Sequence, residues 1–189
     1  WAGAGTFTYG TSTLVMSKSG TQTISYIGGA DVYNLTVNNG STTELLCPND
    51  SGGRLDVNGD LIVTEVLRSD TSGVSASTSI GMRTGGKTLT VTEVATGLAS
   101  LYKLSLMHTS GTISVPACTT PRIFCSGSGG TTQATGDLTI TTELEVSSGA
   151  TFNANGNNIA AEVIDNQSGG TFLLTASSTL TFEDTSGAG

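Results

Sequence analysis

The stretch GDLIVTE, residues 59–65, contains the triplet Leu61-Ile62-Val63, and its apolar-x-apolar pattern returns along the whole chain. Alternate residues of a β-strand face the same side, so the outer members of each triplet are expected to enter one core. Successive triplets begin 21, 26, 28, 24, 25, 21 and 21 residues apart. Their first residues are Leu14, Leu35, Leu61, Leu89, Ile113, Leu138, Ile159 and Leu180. Repetition at roughly 20–30 residues is typical of a solenoid.

Two further sets of apolar residues accompany these triplets at nearly constant distances. One set precedes its triplet by six to eight residues: Phe7, Leu55, Met82, Leu106, Phe152 and Phe172. The other follows by ten residues: Ile24, Leu45 and Ile123. Three strands in each coil predict a triangular coil with three parallel sheets. Asn38-Asn39-Gly40 is expected at a sharp corner, because Asn and Gly tolerate left-handed backbone angles.

Two stretches depart from the repeat. Residues 67–87 are rich in Ser, Gly and Thr, and we expect a loop insertion there. Residues 95–110 are expected to form a second insertion, and their leucine spacing also allows a short helix. Residues 1–189 are interpreted as one β-solenoid domain. Because the first and last repeats resemble each other, we expect the domain to be a fragment of a longer repetitive chain.

Composition supports an all-β fold and argues against two classes of partner. Only 12% of the residues are charged, 26 are glycine, and the net charge is −8. The basic residues are scattered along the sequence: Lys18, Arg54, Arg68, Arg83, Lys87, Lys103 and Arg122. Nucleic-acid binding requires a clustered basic surface, so we expect no nucleic-acid partner. An acidic chain without a long apolar run is not expected to bind or cross a membrane.

The three cysteines are interpreted mainly as core residues. An odd number of cysteines makes a poor disulfide framework. Cys118 and Cys125 could pair across a turn, and this alternative stays open. Cys47 and Cys125 each close an apolar triplet and are expected to behave as small core residues. A zinc site lacks ligands, since the chain has one histidine and no paired C-x-x-C motif.

Three groups of polar residues are candidates for a site. Glu65 and Glu93 occupy matching positions and could form a carboxylate pair of the glycosidase type, although this position looks like a solvated strand edge. Residues 56–60, DVNGD, resemble the start of a calcium loop but lack its glycine and its distal glutamate. His108 has no nearby carboxylate and is expected to be a surface or loop residue. We therefore predict no catalytic, cofactor-binding or metal-binding residue.

Three strings resemble β-helical repeat proteins of bacteriophages and bacteria. They are TSTLVMSKSGTQTISY at residues 11–26, VYNLTVNNG at 32–40 and LDVNGDLIVT at 55–64. The resemblance covers residues 1–65 well and 136–189 loosely. It implies a right-handed single-stranded parallel β-helix, here of about seven to eight coils, and a structural role on a virion or cell surface. It transfers no catalytic residue.

The resulting interpretation is a structural or adhesive β-helix segment of an extracellular assembly, such as a phage virion fibre, appendage or capsid decoration. The expected partners are other virion or surface proteins, further copies of the chain, and glycans. A bacterial surface adhesin of the same fold is the first alternative. A β-helical polysaccharide-degrading enzyme is the second, and it would need acidic and basic side chains converging in a groove.

Overall fold

The computed structural model describes residues 10–26, 29–46, 53–69, 78–91 and 103–182, and every regular element in these ranges is a β-strand. The strands are β1 (Thr13–Met16), β2 (Gly20–Ser25), β3 (Ala30–Val32), β4 (Asn34–Val37), β5 (Ser41–Leu46), β6 (Arg54–Val57), β7 (Leu61–Val63), β8 (Val66–Ser69), β9 (Ser79–Met82), β10 (Leu89–Val91), β11 (Lys103–Met107), β12 (Thr112–Val115), β13 (Cys118–Ser126), β14 (Thr131–Ala134), β15 (Leu138–Val146), β16 (Thr151–Asn153), β17 (Ile159–Asn166), β18 (Thr171–Leu173) and β19 (Leu180–Phe182).

These strands form four parallel sheets, and each strand pairs with one from the next coil rather than with its neighbour in sequence. The longest sheet has the order β19-β17-β15-β13-β11-β9-β6-β3. The others are β1-β4-β7-β10, β12-β14-β16-β18 and β2-β5-β8. The chain is therefore a β-solenoid of about seven turns, which confirms the predicted fold class. With strands about 4.8 Å apart, the eight-stranded sheet is about 34 Å long.

The predicted column of triplets is correct in the first half of the chain. Leu14, Leu35, Leu61 and Leu89 are in register across β1, β4, β7 and β10. Leu35 and Leu61 are fully buried, and the threonine between the two apolar residues of β4 is less buried than either of them. Period-2 alternation therefore builds an apolar ladder that a single coil could not bury.

The predicted column of triplets does not continue through the second half of the chain. Leu138 pairs with Cys118 and Ile159, in the eight-stranded sheet, and has no register contact with Ile113. Ile113 pairs with Thr132, so its column continues with a threonine. Strands β13 and β15 span a bend, marked by a register shift after Thr120 in β13, and so contribute to two sides of the coil. An apolar triplet has the same pattern on every side of the coil. Spacing alone therefore could not show that the triplet at Leu138 belongs to the eight-stranded sheet.

The core consists of ladders that run along the coil axis. On the inner side of the eight-stranded sheet the fully buried residues include Ile80, Met82, Leu104, Leu106, Ile123, Leu144 and Val146. On another side Phe152 stacks on Phe172 with ring centroids 5.2 Å apart. Each side chain thus packs on its counterpart one coil above and below, and this stacking holds the coils together.

Polar side chains link the corners of successive coils. Asn39 and Gly40 have φ angles of 59° and 75°, as expected for the predicted corner. At another corner the Asp60 amide donates to Asn34 Oδ1 (2.8 Å), and Asp60 Oδ1 accepts from the Thr88 amide (2.9 Å). Asp137 accepts from the backbone and side chain of Asn158, and these bonds lower the pKa of Asp137.

Strands occupy parts of both stretches that were expected to be insertions. The first loop was expected to begin at Leu67, but Leu67 is fully buried in β8, and β9 lies within the same stretch. A short helix was allowed over residues 95–110, but residues 103–107 form β11, in which Leu104 and Leu106 follow the two-residue period of a strand. Residues 70–77 and 92–102 lie outside the described ranges, so the rest of both predictions stays untested.

Candidate ligand-binding face

The structure describes two of the three carboxylates that were considered individually from the sequence, Glu65 and Asp56. Glu65 is half-buried, and Glu93 lies outside the described residues, so their proposed pairing stays a prediction. Asp56 alternates with the buried Leu55 and Val57, so it points outward, and it is only 5% exposed because Arg54 and Arg83 lie against it. Within the described part of the chain, no three His, Cys, Asp or Glu side chains are grouped so as to hold a metal ion.

His108 lies in the loop that follows β11, which is one of its two expected positions, but it is buried and not at the surface. It is 2% exposed, and its Nδ1 lies 3.1 Å from the Ser110 carbonyl oxygen. Gly85 and Gly130 approach the ring so closely that a Cβ on either would lie 3.0 and 2.5 Å from Nδ1. The imidazole therefore fills a corner that the neighbouring glycines leave open.

Cys118 and Cys125 are free, buried thiols. They lie seven residues apart within β13, a separation of about 20 Å along an extended strand, so they cannot pair with each other. Burial raises the pKa of each thiol to about 12. The prediction that Cys125 is a small core residue is confirmed. Cys47 lies outside the described residues.

The outward side of the eight-stranded sheet brings together charges that are distant in sequence. We use the name outer face for thirteen residues of this side, which lie on β6, β9, β11, β13, β15 and β17 or directly follow β9 and β17. They are Arg54, Asp56, Gly81, Arg83, Lys103, Ser105, Met107, Arg122, Phe124, Glu143, Glu145, Asp165 and Gln167. Four of the seven basic residues lie here, so the interpretation of the basic residues as scattered is wrong.

One end of the outer face is an arginine–aspartate cluster. Asp56 Oδ1 accepts from Arg54 Nε at 2.5 Å, and Asp56 Oδ2 lies 2.7 Å from Arg83 Nη2. Arg54 Nη1 faces the sulfur of Met107 at 3.5 Å. Gly81 makes room for this cluster, because a Cβ there would lie 2.5 Å from Asp56 Oδ1 and 3.0 Å from Arg54 Cδ.

The middle and far end of the outer face combine an aromatic ring with carboxylates. Lys103 Nζ lies 4.6 Å from the centroid of the Phe124 ring. Arg122 and Glu143 form an ion pair at 3.7 Å. Gln167 Nε2 donates to Glu145 Oε1 at 2.6 Å. The pKa of Glu145 is raised, chiefly by burial and then by the nearby negative charge of Glu143, while Lys103 opposes this shift.

Ser105 occupies the centre of the basic part of the outer face. Its neighbours in the strand, Leu104 and Leu106, are core residues, so its hydroxyl points to the outward side. The residue is 0% exposed, and Oγ has no hydrogen-bond partner among the described residues. A buried hydroxyl without a partner is costly, which makes this atom a candidate contact for a ligand.

The basic residues themselves indicate this face in the sequence, because several of them recur at about the length of a coil. The spacing of the apolar residues does not show it. Arg54, Lys103 and Arg122 occupy equivalent positions of β6, β11 and β13, and Ser79 occupies this position of β9, at successive intervals of 25, 24 and 19 residues. Arg83 directly follows β9, four residues after Ser79. Residues one coil apart stack on adjacent strands, so charges at this period meet in space. The apolar triplets and their companion residues include none of these charged residues, so their spacing does not indicate the face.

Comparisons with protein-family models, with curated proteins and with solved structures find no match to this chain. No helix in the described residues is long and apolar enough to cross a membrane.

Proposed function

We propose that this chain is a structural or adhesive segment of an extracellular assembly, and that the assembly is a bacteriophage virion that carries it as a fibre, appendage or capsid decoration. The observation that supports this proposal is the continuous stack of in-register apolar ladders. A stack of this kind makes an elongated body whose length is set by the number of coils and whose outer positions are free to vary.

The outer positions fit a body that works through its surface. Thr139 is exposed between two inward apolar residues of β15, and its register partner Thr119 places a second hydroxyl beside it on β13. On another sheet, Ser114 is exposed between Ile113 and Val115. Such hydroxyl groups can contact neighbouring virion or surface proteins, further copies of the chain, or glycans without altering the core.

Electron cryomicroscopy of native particles, with gold-labelled antibodies raised against the purified chain, tests this proposal. Labelling of a virion fibre, appendage or capsid surface is the expected result. Labelling of a bacterial surface instead would favour an adhesin of the same fold. Recovery of the chain only as a free molecule would refute the structural role.

A polysaccharide-degrading enzyme is a second candidate, favoured by the grouping of cations and carboxylates on the outer face. Glu145 and Asp165 are register partners on adjacent strands, and the raised pKa of Glu145 suits an acid group. Release of reducing ends from a polysaccharide, abolished by Glu145→Gln and retained in Glu65→Gln, would support this candidate.

A further inference from the structure

The basic part of the outer face is a positive patch on an acidic protein. Arg54, Arg83, Lys103 and Arg122 lie on four adjacent strands, about 14 Å from first to last, in a chain of net charge −8. Asp56 pairs with Arg54 and Arg83, and Glu143 on the next strand pairs with Arg122, so these two carboxylates offset two of the four positive charges. A local positive patch of this kind raises the concentration of anions at the surface.

Two polar groups in this patch have poorer partners than an oxyanion would offer. Arg54 Nη1 faces the Met107 thioether, and sulfur is a weak acceptor. Ser105 Oγ, in the same strand as that methionine, has no partner among the described residues. A ligand carboxylate would accept a charge-assisted bond from the guanidinium and a second bond from the hydroxyl, after the long side chains above Ser105 move aside.

The neighbouring acidic part limits what else the ligand can be. Glu143, Glu145 and Asp165 follow directly on the next two strands and would repel a long, uniformly charged polyanion. Carboxylates accept hydrogen bonds from hydroxyl groups, and the amide of Gln167 can both donate to hydroxyl groups and accept from them. Phe124, half-buried between the two parts, offers an apolar surface for the face of a sugar ring when Lys103 Nζ, which lies 4.6 Å from its centroid, turns to the ligand carboxylate.

From this arrangement we propose that the outer face binds an oligosaccharide in which one acidic sugar is joined to neutral sugars. The sugar carboxylate lies among Arg54, Lys103 and Ser105, and the neutral units extend over Phe124 towards Glu145. The inference rests on the proposed adhesive role and specifies what that role would recognise.

An array of immobilised oligosaccharides tests the proposal, with sialyllactose as an acidic probe, lactose as its neutral counterpart, and heparin and single-stranded DNA as extended polyanions. The wild-type chain is expected to retain acidic oligosaccharides and not their neutral counterparts. We expect Lys103→Met and Ser105→Ala to weaken retention at least about fivefold, a loss of about 1 kcal/mol. Lys18→Met removes an exposed cation outside the outer face and should leave retention unchanged.

Several results would overturn the proposal. They are retention of no acidic oligosaccharide, equal retention of neutral ones, stronger retention of heparin or DNA, or equal losses in the Lys18 and Lys103 variants. Circular dichroism of each variant separates loss of binding from loss of fold. Antibody labelling of the virion does not depend on the outer face, so failure on the array would leave the structural role intact.

Discussion

Leu104→Ala should be among the most destabilising single changes in this solenoid. Leu104 is fully buried in β11, and its register partners Ile80 and Ile123 lie on the strands to either side. Truncation removes apolar burial and leaves a cavity between three coils, and such changes cost about 3–4 kcal/mol. Urea unfolding followed by circular dichroism should therefore show a clear fall in the free energy of unfolding.

Leu173→Ala is the matched control for this experiment. Leu173 is also a strand leucine, but its side chain is 44% exposed, so roughly half of the burial is lost and no closed cavity forms. We expect a cost of about 1 kcal/mol. The difference between the two variants should be about 2–3 kcal/mol; equal costs would refute the idea that stability resides in the inward ladders.

Three further predictions concern buried groups and close contacts. Between pH 9 and 12 the thiols of Cys118 and Cys125 ionise in the unfolded chain but not in the folded one, so the free energy of unfolding should fall by about 1.4 kcal/mol per pH unit per thiol; urea titrations should show a flatter profile when both are alanine. Gly130→Ala places a Cβ against the buried histidine and should cost about 1–3 kcal/mol in unfolding free energy, whereas Gly29→Ala, with open space around it, should change it by less than about 0.5 kcal/mol. Asp56→Asn weakens charge-assisted bonds to two partly exposed arginines and should cost about 1–2 kcal/mol, a loss that shrinks in 1 M salt; a loss independent of salt would contradict an electrostatic cause.

The fold class could be predicted because the solenoid core depends on local two-residue alternation repeated at coil length. Leu35-Thr36-Val37 and Leu61-Ile62-Val63 carry both signals and stand in register as expected. The side of the coil to which a triplet belongs could not be predicted after Ile113. Strand β15 turns a corner between Ile140 and Glu143 without a glycine or proline, so the sequence has no local mark of that bend.

The candidate site was less predictable than the fold, because its residues are related by the coil period and not by any motif. Arg54 and Lys103 are 49 residues apart in sequence, and only the register of β6, β9 and β11 brings them onto one face. The burial of His108 was equally hidden. It depends on Gly85 and Gly130, which leave room for the imidazole ring and come next to it only when the coils are stacked.

Alternation also separates the requirements of folding from those of binding. In β11, Leu104 and Leu106 enter the core, while Lys103, Ser105 and Met107 belong to the outer face. A substitution at an outward position therefore changes what the surface contacts and leaves the inward ladder in place. Ser105 is at such an outward position: its buried hydroxyl lacks a hydrogen-bond partner among the described residues, and the proposed ligand carboxylate would supply one.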